Sequence, residues 1–98
     1  MIRATVKKDS LIIKGHANFD DYGKDIVCAA VSSIVTTSVN DMHIVNPNAF
    51  EYNDDGNTIT IEIVGQDDLI NKLFNNLVEL LVNLSEDYPK NIKVERED

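Results

Sequence analysis

One cysteine, Cys28, is the only thiol in this chain of 98 residues. A single thiol cannot close an internal disulfide, which fits a reducing compartment, and it is too few for a thiolate zinc site. The two histidines, His16 and His43, stand far apart and the acids are diffuse, so neither a metal nor another cofactor is expected. Positive charge is also scarce. Nine Lys and Arg face seventeen Asp and Glu, for a net charge of −8. The cations are scattered, and phosphate contact needs them gathered, so direct nucleic-acid binding is excluded. The acidic surface suits a basic partner drawn in by long-range attraction, or simply keeps the protein soluble. No stretch reaches the roughly 18 apolar residues of a membrane span, because Ser, Thr or Asn interrupt the longest ones. Met1–Thr5 has no apolar signal-peptide run, so the expected location is the cytoplasm. Glycine-rich phosphate loops, zinc ribbons and a Gly-x-Ser-x-Gly elbow are missing too.

What is present reads as one globular domain, 1–98, with 43% apolar and 27% charged residues and no linker or low-complexity tract. Ile2, Ala4 and Val6 alternate as a half-buried strand. Lys8-Asp9-Ser10 makes a turn, and Leu11-Ile12-Ile13 starts a second strand ending near Gly15 or His16. A polar connector, 17–24, carries two aromatics, Phe19 and Tyr22. A helix is expected from about Gly23 to Met42, with Ile26, Val27, Ala30, Val31, Ile34 and Val35 on one broad face. His43–Asn48 connects to a third strand, Ala49–Asn53. Asp54-Asp55-Gly56-Asn57 reads as a hairpin turn before the alternating fourth strand Ile59, Ile61, Ile63. Asp67 opens a second helix reaching about Glu86, its stripe running from Leu69 to Leu84, and Pro89 ends it. Ile92–Val94 is a fifth strand. The order strand-strand-helix-strand-strand-helix-strand predicts an α+β, two-layer fold: a mixed or antiparallel sheet of about five strands with both helices on one face. The broad apolar face over Leu77–Leu84 hints at a dimer surface, or at a fuller core within one chain.

Candidate chemistry gathers around Cys28. A thiol near a helix start feels the positive potential of unpaired N–H groups, and an imidazole such as His16 can share its proton. Helical geometry puts Asp25, Cys28 and Ser32 on one side, on a flank of the apolar stripe rather than its centre, where access is open. The competing reading makes Cys28 a small packing residue, Asp25 a first-turn acid and Ser32 a side chain bonded one turn back. His43, with no thiol or acid pattern beside it, reads as structural or surface.

The block Gly15-His16-Ala17, a short polar loop, then Gly23-Lys24-Asp25-Ile26-Val27-Cys28-Ala29-Ala30-Val31-Ser32 resembles the signature of the ribosomal-processing cysteine protease family. Chain length, strand order and the long second helix agree with it. The resemblance implies a cytoplasmic bacterial homodimer that removes a short N-terminal extension from large-subunit ribosomal protein number twenty-seven. That extension carries paired phenylalanines ahead of a basic, glycine-containing sequence. It implies a catalytic dyad of Cys28 and His16, supported by Gly15, Asp25 and Ser32. It also implies a loop, 17–24, that moves on substrate binding; on that loop Phe19 and Tyr22 would cover an apolar extension, with Gly23 as a hinge, or would pack the loop down. Two alternatives stay open on the residues alone: a non-enzymatic acidic dimer that binds a basic ribosomal protein, with Cys28 structural, and a thiol hydrolase of another acyl substrate.

Overall fold

The computed structural model describes residues 1–15 and 22–97, with residues 22–25 described by their backbone alone. Seven elements follow in order: β1 (Ile2–Lys7), β2 (Ser10–Lys14), α1 (Tyr22–Val45), β3 (Phe50–Asp54), β4 (Thr58–Ile63), α2 (Asp68–Asp87) and β5 (Ile92–Arg96). The strands make one sheet in the order β3-β4-β2-β1-β5. Every neighbouring pair is antiparallel except β1 with β5, which run parallel. The fold is therefore α+β with a mixed five-stranded sheet, as the element order predicts.

Alternation decides which face of the sheet is covered. Ile2, Ala4, Val6, Leu11, Ile13, Ile61, Ile63 and Ile92 are buried on one side. Arg3, Lys7, Lys14, Glu62 and Lys93 point the other way and are exposed. Val27, Val31, Val35 and Met42 of α1 and Ile70, Phe74, Leu77, Val78 and Leu81 of α2 close over the apolar side. On α2 the wide stripe is mostly taken up within the protomer: Leu77, Val78 and Leu81 are buried, Val82 and Leu84 partly so, and only Leu69 and Leu80 of its large apolar side chains are exposed.

The boundaries differ from expectation where packing does not mark them. α1 runs on through His43, Ile44 and Val45, and the Asn46 N–H still donates to the Met42 carbonyl at 2.9 Å. Ile44 is 81% exposed, so the hydrophobic pattern carries no sign of this last turn. Pro47 then disfavours helical backbone at Asn46. β5 extends to Arg96 because it pairs with β1 through its charged residues. Its Arg3–Glu95 contact, at 3.2 Å, is solvent-exposed and adds little stability. No helix among the described residues is long and apolar enough to cross a membrane.

Asp67 joins the end of α1 to the start of α2. Its Oδ1 accepts the N–H groups of Leu69 and Ile70, at 3.0 and 3.1 Å, as an N-cap. Its Oδ2 accepts from the Asn46 side-chain amide at 2.9 Å. The Asn46 bond first, then the Ile70 and Leu69 N–H groups, hold this carboxyl below its ordinary value. The native state thus binds that proton more weakly than the unfolded chain does. The resulting stabilisation is complete above the unfolded value, about 3.9, and is lost as pH falls through the lower native value. Thermal melts followed by circular dichroism should show the wild-type melting temperature falling more steeply below about pH 4 than that of Asp67→Asn. Parallel curves would remove this role.

Candidate active site

Strand register assembles the floor of a cavity. Ala4 lies opposite Ile13, Ile13 opposite Ile59, and Ile59 opposite Asp54. Opposed residues share a face, so these four form one row on the helix-covered side. Exposure rises along it: Ala4 is fully buried, Ile13 nearly so, Ile59 half-buried and Asp54 exposed. Where the row emerges from beneath the helices there is a cavity of about 250 Å³. Ile2, Ile13 and Ile59 form its apolar side; Cys28, Val31 and Ser32 of α1 face them; Gly15 and the β3–β4 turn residues Asp54, Gly56 and Asn57 are the other described residues of its lining.

Cys28 is a free, half-buried thiol packed against the edge of the core, which is the flanking position expected from helical spacing. Ser32, one turn on, is exposed on the same cavity. Because α1 begins at Tyr22, Cys28 lies in its second turn. The unpaired N–H groups of a helix start belong to the cap and the first three helical residues, here no later than Lys24. The Cys28 N–H is in register with the carbonyl one turn back, so it is not among the donors available to an incoming oxyanion. α1 begins one residue before the expected start at about Gly23, so the connector expected over 17–24 overlaps the first residues of the helix.

Gly15, at the end of β2, has φ +91°, and a Cβ there would stand 2.5 Å from the Met1 carbonyl oxygen. Only glycine combines that backbone with so close a neighbour. The β3–β4 turn is held by its own acids. Asp54 Oδ1 accepts the Gly56 N–H at 2.9 Å. Asp55 Oδ1 accepts the N–H groups of Asn57 and Thr58 at 2.9 and 2.7 Å, and these bonds lower its pKa. Tyr52, two residues before Asp54 on the same side of β3, has its hydroxyl pKa raised, by burial first and by the Asp54 charge second.

Of the residues singled out by sequence, the structure brings Gly15, Cys28 and Ser32 to one cavity. His16 and Phe19 lie outside the described residues, as do the side chains of Tyr22 and Asp25; the backbone of Tyr22, Gly23 and Asp25 is in the first turn of α1. His43 is exposed in the last turn of α1, at a distance in sequence from the thiol. Sequence reasoning passed over Asp54, Gly56 and Asn57, which read only as a turn. Their place beside the thiol follows from the β2–β4–β3 register, for which a single sequence carries no local signal.

A family profile described as cysteine protease Prp matches residues 1–93. The ribosomal processing cysteine protease Prp of Mycoplasma genitalium is 28% identical over 99 residues, covering 99% of this chain and 97% of that protein. The crystal structure of the ribosomal processing protease Prp from S. aureus with a covalently linked product peptide superposes with a TM-score of 0.81 at 27% identity, covering 99% of this chain and all of that one. SMU.848 from Streptococcus mutans gives a TM-score of 0.79 at 28% identity over 98% of this chain and 93% of that one.

Glycine at the cavity's edge is open to a direct test. Ala at position 15 meets both a left-handed backbone, about 1–2 kcal/mol, and the Met1 carbonyl. Gly56, at φ +92° with open space around its Cβ position, meets only the first. Equilibrium urea unfolding should therefore show Gly15→Ala destabilised more than Gly56→Ala. Equal midpoints would mean that the Met1 contact relaxes without cost.

Proposed function

The chain belongs to the cysteine protease Prp family, and from that premise we propose that it removes the N-terminal extension of large-subunit ribosomal protein number twenty-seven through a Cys28–His16 dyad. Family membership makes the protein an enzyme, and Cys28 being the chain's one cysteine supports it as the nucleophile. The observation that carries the site assignment is the position of Cys28 at a cavity that Gly15, the residue next to His16, also lines. The covalently held product peptide in the S. aureus relative supports a covalent route.

In this mechanism the His16 imidazole takes the Cys28 thiol proton, and the sulfur adds to the scissile carbonyl. Collapse of the tetrahedral adduct expels the amine, which takes its proton from the imidazolium, and leaves a thioester. Water, giving a proton back to His16, then releases the acid and restores the thiol. Cys28's second-turn position gives the imidazole the main part in activating the sulfur, and the oxyanion donors are sought among N–H groups other than that of Cys28. Asp25 orients His16 or anchors the 17–24 segment, and Ser32 positions the dyad or the substrate backbone. Ile2, Ile13, Val31 and Ile59 offer apolar walls, and about 250 Å³ suits one aromatic side chain of the paired phenylalanines. Phe19 and Tyr22 cover that side chain as the segment closes, with Gly23 as the hinge. The acidic net charge draws in a basic ribosomal protein. One domain, 1–98, acting in the cytoplasm as a homodimer completes the reading.

Mass spectrometry of a peptide carrying the extension tests it. Wild-type protein should cut the peptide once, and Cys28→Ser should keep the fold while losing more than about 10³-fold in rate. Near-normal cleavage by that variant would defeat the assignment. His16→Ala should slow alkylation of Cys28 at about pH 6 to 7, whereas an unchanged pH profile would show that His16 does not activate the thiol.

A further inference from the structure

The β3–β4 turn holds two adjacent acids in different situations. Asp55 Oδ1 is occupied by two backbone N–H groups, and Asp55 does not line the cavity. Asp54 lines it, uses only Oδ1 in the turn, and makes no ion pair among the described residues. Its second oxygen takes no hydrogen bond from them. Register adds an independent observation. Phe50, Tyr52 and Asp54 stand opposite Ile63, Ile61 and Ile59 on the helix-covered side. Asp54 is thus a carboxylate where the pattern would place another apolar side chain, at the end of the row that leads to Cys28. Among the described residues no Lys or Arg lines the cavity, so nothing described there neutralises its charge.

We propose that Asp54 is a specificity-determining residue, its free carboxylate oxygen pairing with a cationic side chain of the peptide that occupies the Cys28 cavity. This rests on the protease reading above and adds to it a selection for Lys or Arg near the scissile bond. The turn preorganises the carboxylate: with Oδ1 fixed on the Gly56 N–H, the other oxygen presents a charge-assisted acceptor without further ordering. The apolar side of the cavity takes one side chain, and the turn reads the charge of another.

The test uses the full chain and peptides with paired phenylalanines in which one lysine is moved residue by residue across the cleavage site, against a glutamine series. Asp54→Asn is the informative variant, since its side-chain oxygen still accepts the Gly56 N–H and keeps the turn. At one position of the lysine, wild type should favour it over glutamine in kcat/KM by about three- to ten-fold. Asp54→Asn should bring the lysine-to-glutamine ratio to about one, and Asp54→Lys should prefer a glutamate peptide. Added salt should reduce the wild-type preference. An equal lysine-to-glutamine ratio in wild type and Asp54→Asn overturns the proposal, as does an equal slowing of both series, which would mark Asp54 as a support of the turn or of the dyad. If wild type cuts no peptide of either series, the protease reading fails first and this inference falls with it. Cleavage with an unaltered ratio removes Asp54 alone.

Discussion

Apolar side chains on one face of the sheet have to be kept from water, and α1 and α2 lie where they do because of it. The side-chain period of two makes this an all-or-none condition for each strand, since a slip by one residue would exchange Ile13 and Ile61 for Lys14 and Glu62. Once that face is set, the row Ala4–Ile13–Ile59–Asp54 follows from register alone. It ends beyond the cover of the helices, and the cavity is the space left where cover stops. The cavity is a consequence of the core being finite: the same side chains that stabilise the fold provide its apolar lining.

Around that cavity, the parts come from distant segments, each held by a short-range device. Gly15 ends β2 in a conformation and at a distance that exclude a Cβ. The β3–β4 turn is tied by three backbone N–H bonds to its own aspartates. Away from the cavity, Asp67 fixes the start of α2 against the end of α1. Rigid supports of this kind hold side chains in fixed positions. Cys28 is carried by the second turn of α1, whose apolar face is locked by Val27 and Val31. The thiol owes its position to the core rather than to a loop.

Much of the architecture was legible because its causes are local. Strict alternation in Ile59, Ile61, Ile63 and the Asp67 cap before a long apolar stripe name β4 and α2 without reference to anything distant. The end of α1 was not legible, since Ile44 and Val45 are apolar yet exposed and contribute no periodic signal. The width of the α2 stripe left two readings open, a dimer surface or a fuller core, and the sheet and α1 bury most of it within one chain. A sequence states how much apolar surface must be covered; it does not state how many partners cover it.

The sequence by itself determined the residue types and their local spacing: a thiol one turn from an acid and a serine, a glycine before a histidine, and a fold of seven elements. Those depend on chemistry and on periods of two and 3.6 residues, which are written along the chain. Only the tertiary structure decided that Gly15, Cys28 and the Asp54–Asn57 turn share one cavity. That neighbourhood depends on strand order and on pairings between residues separated by more than forty positions, and these are set by the joint packing of all seven elements, not by any one of them.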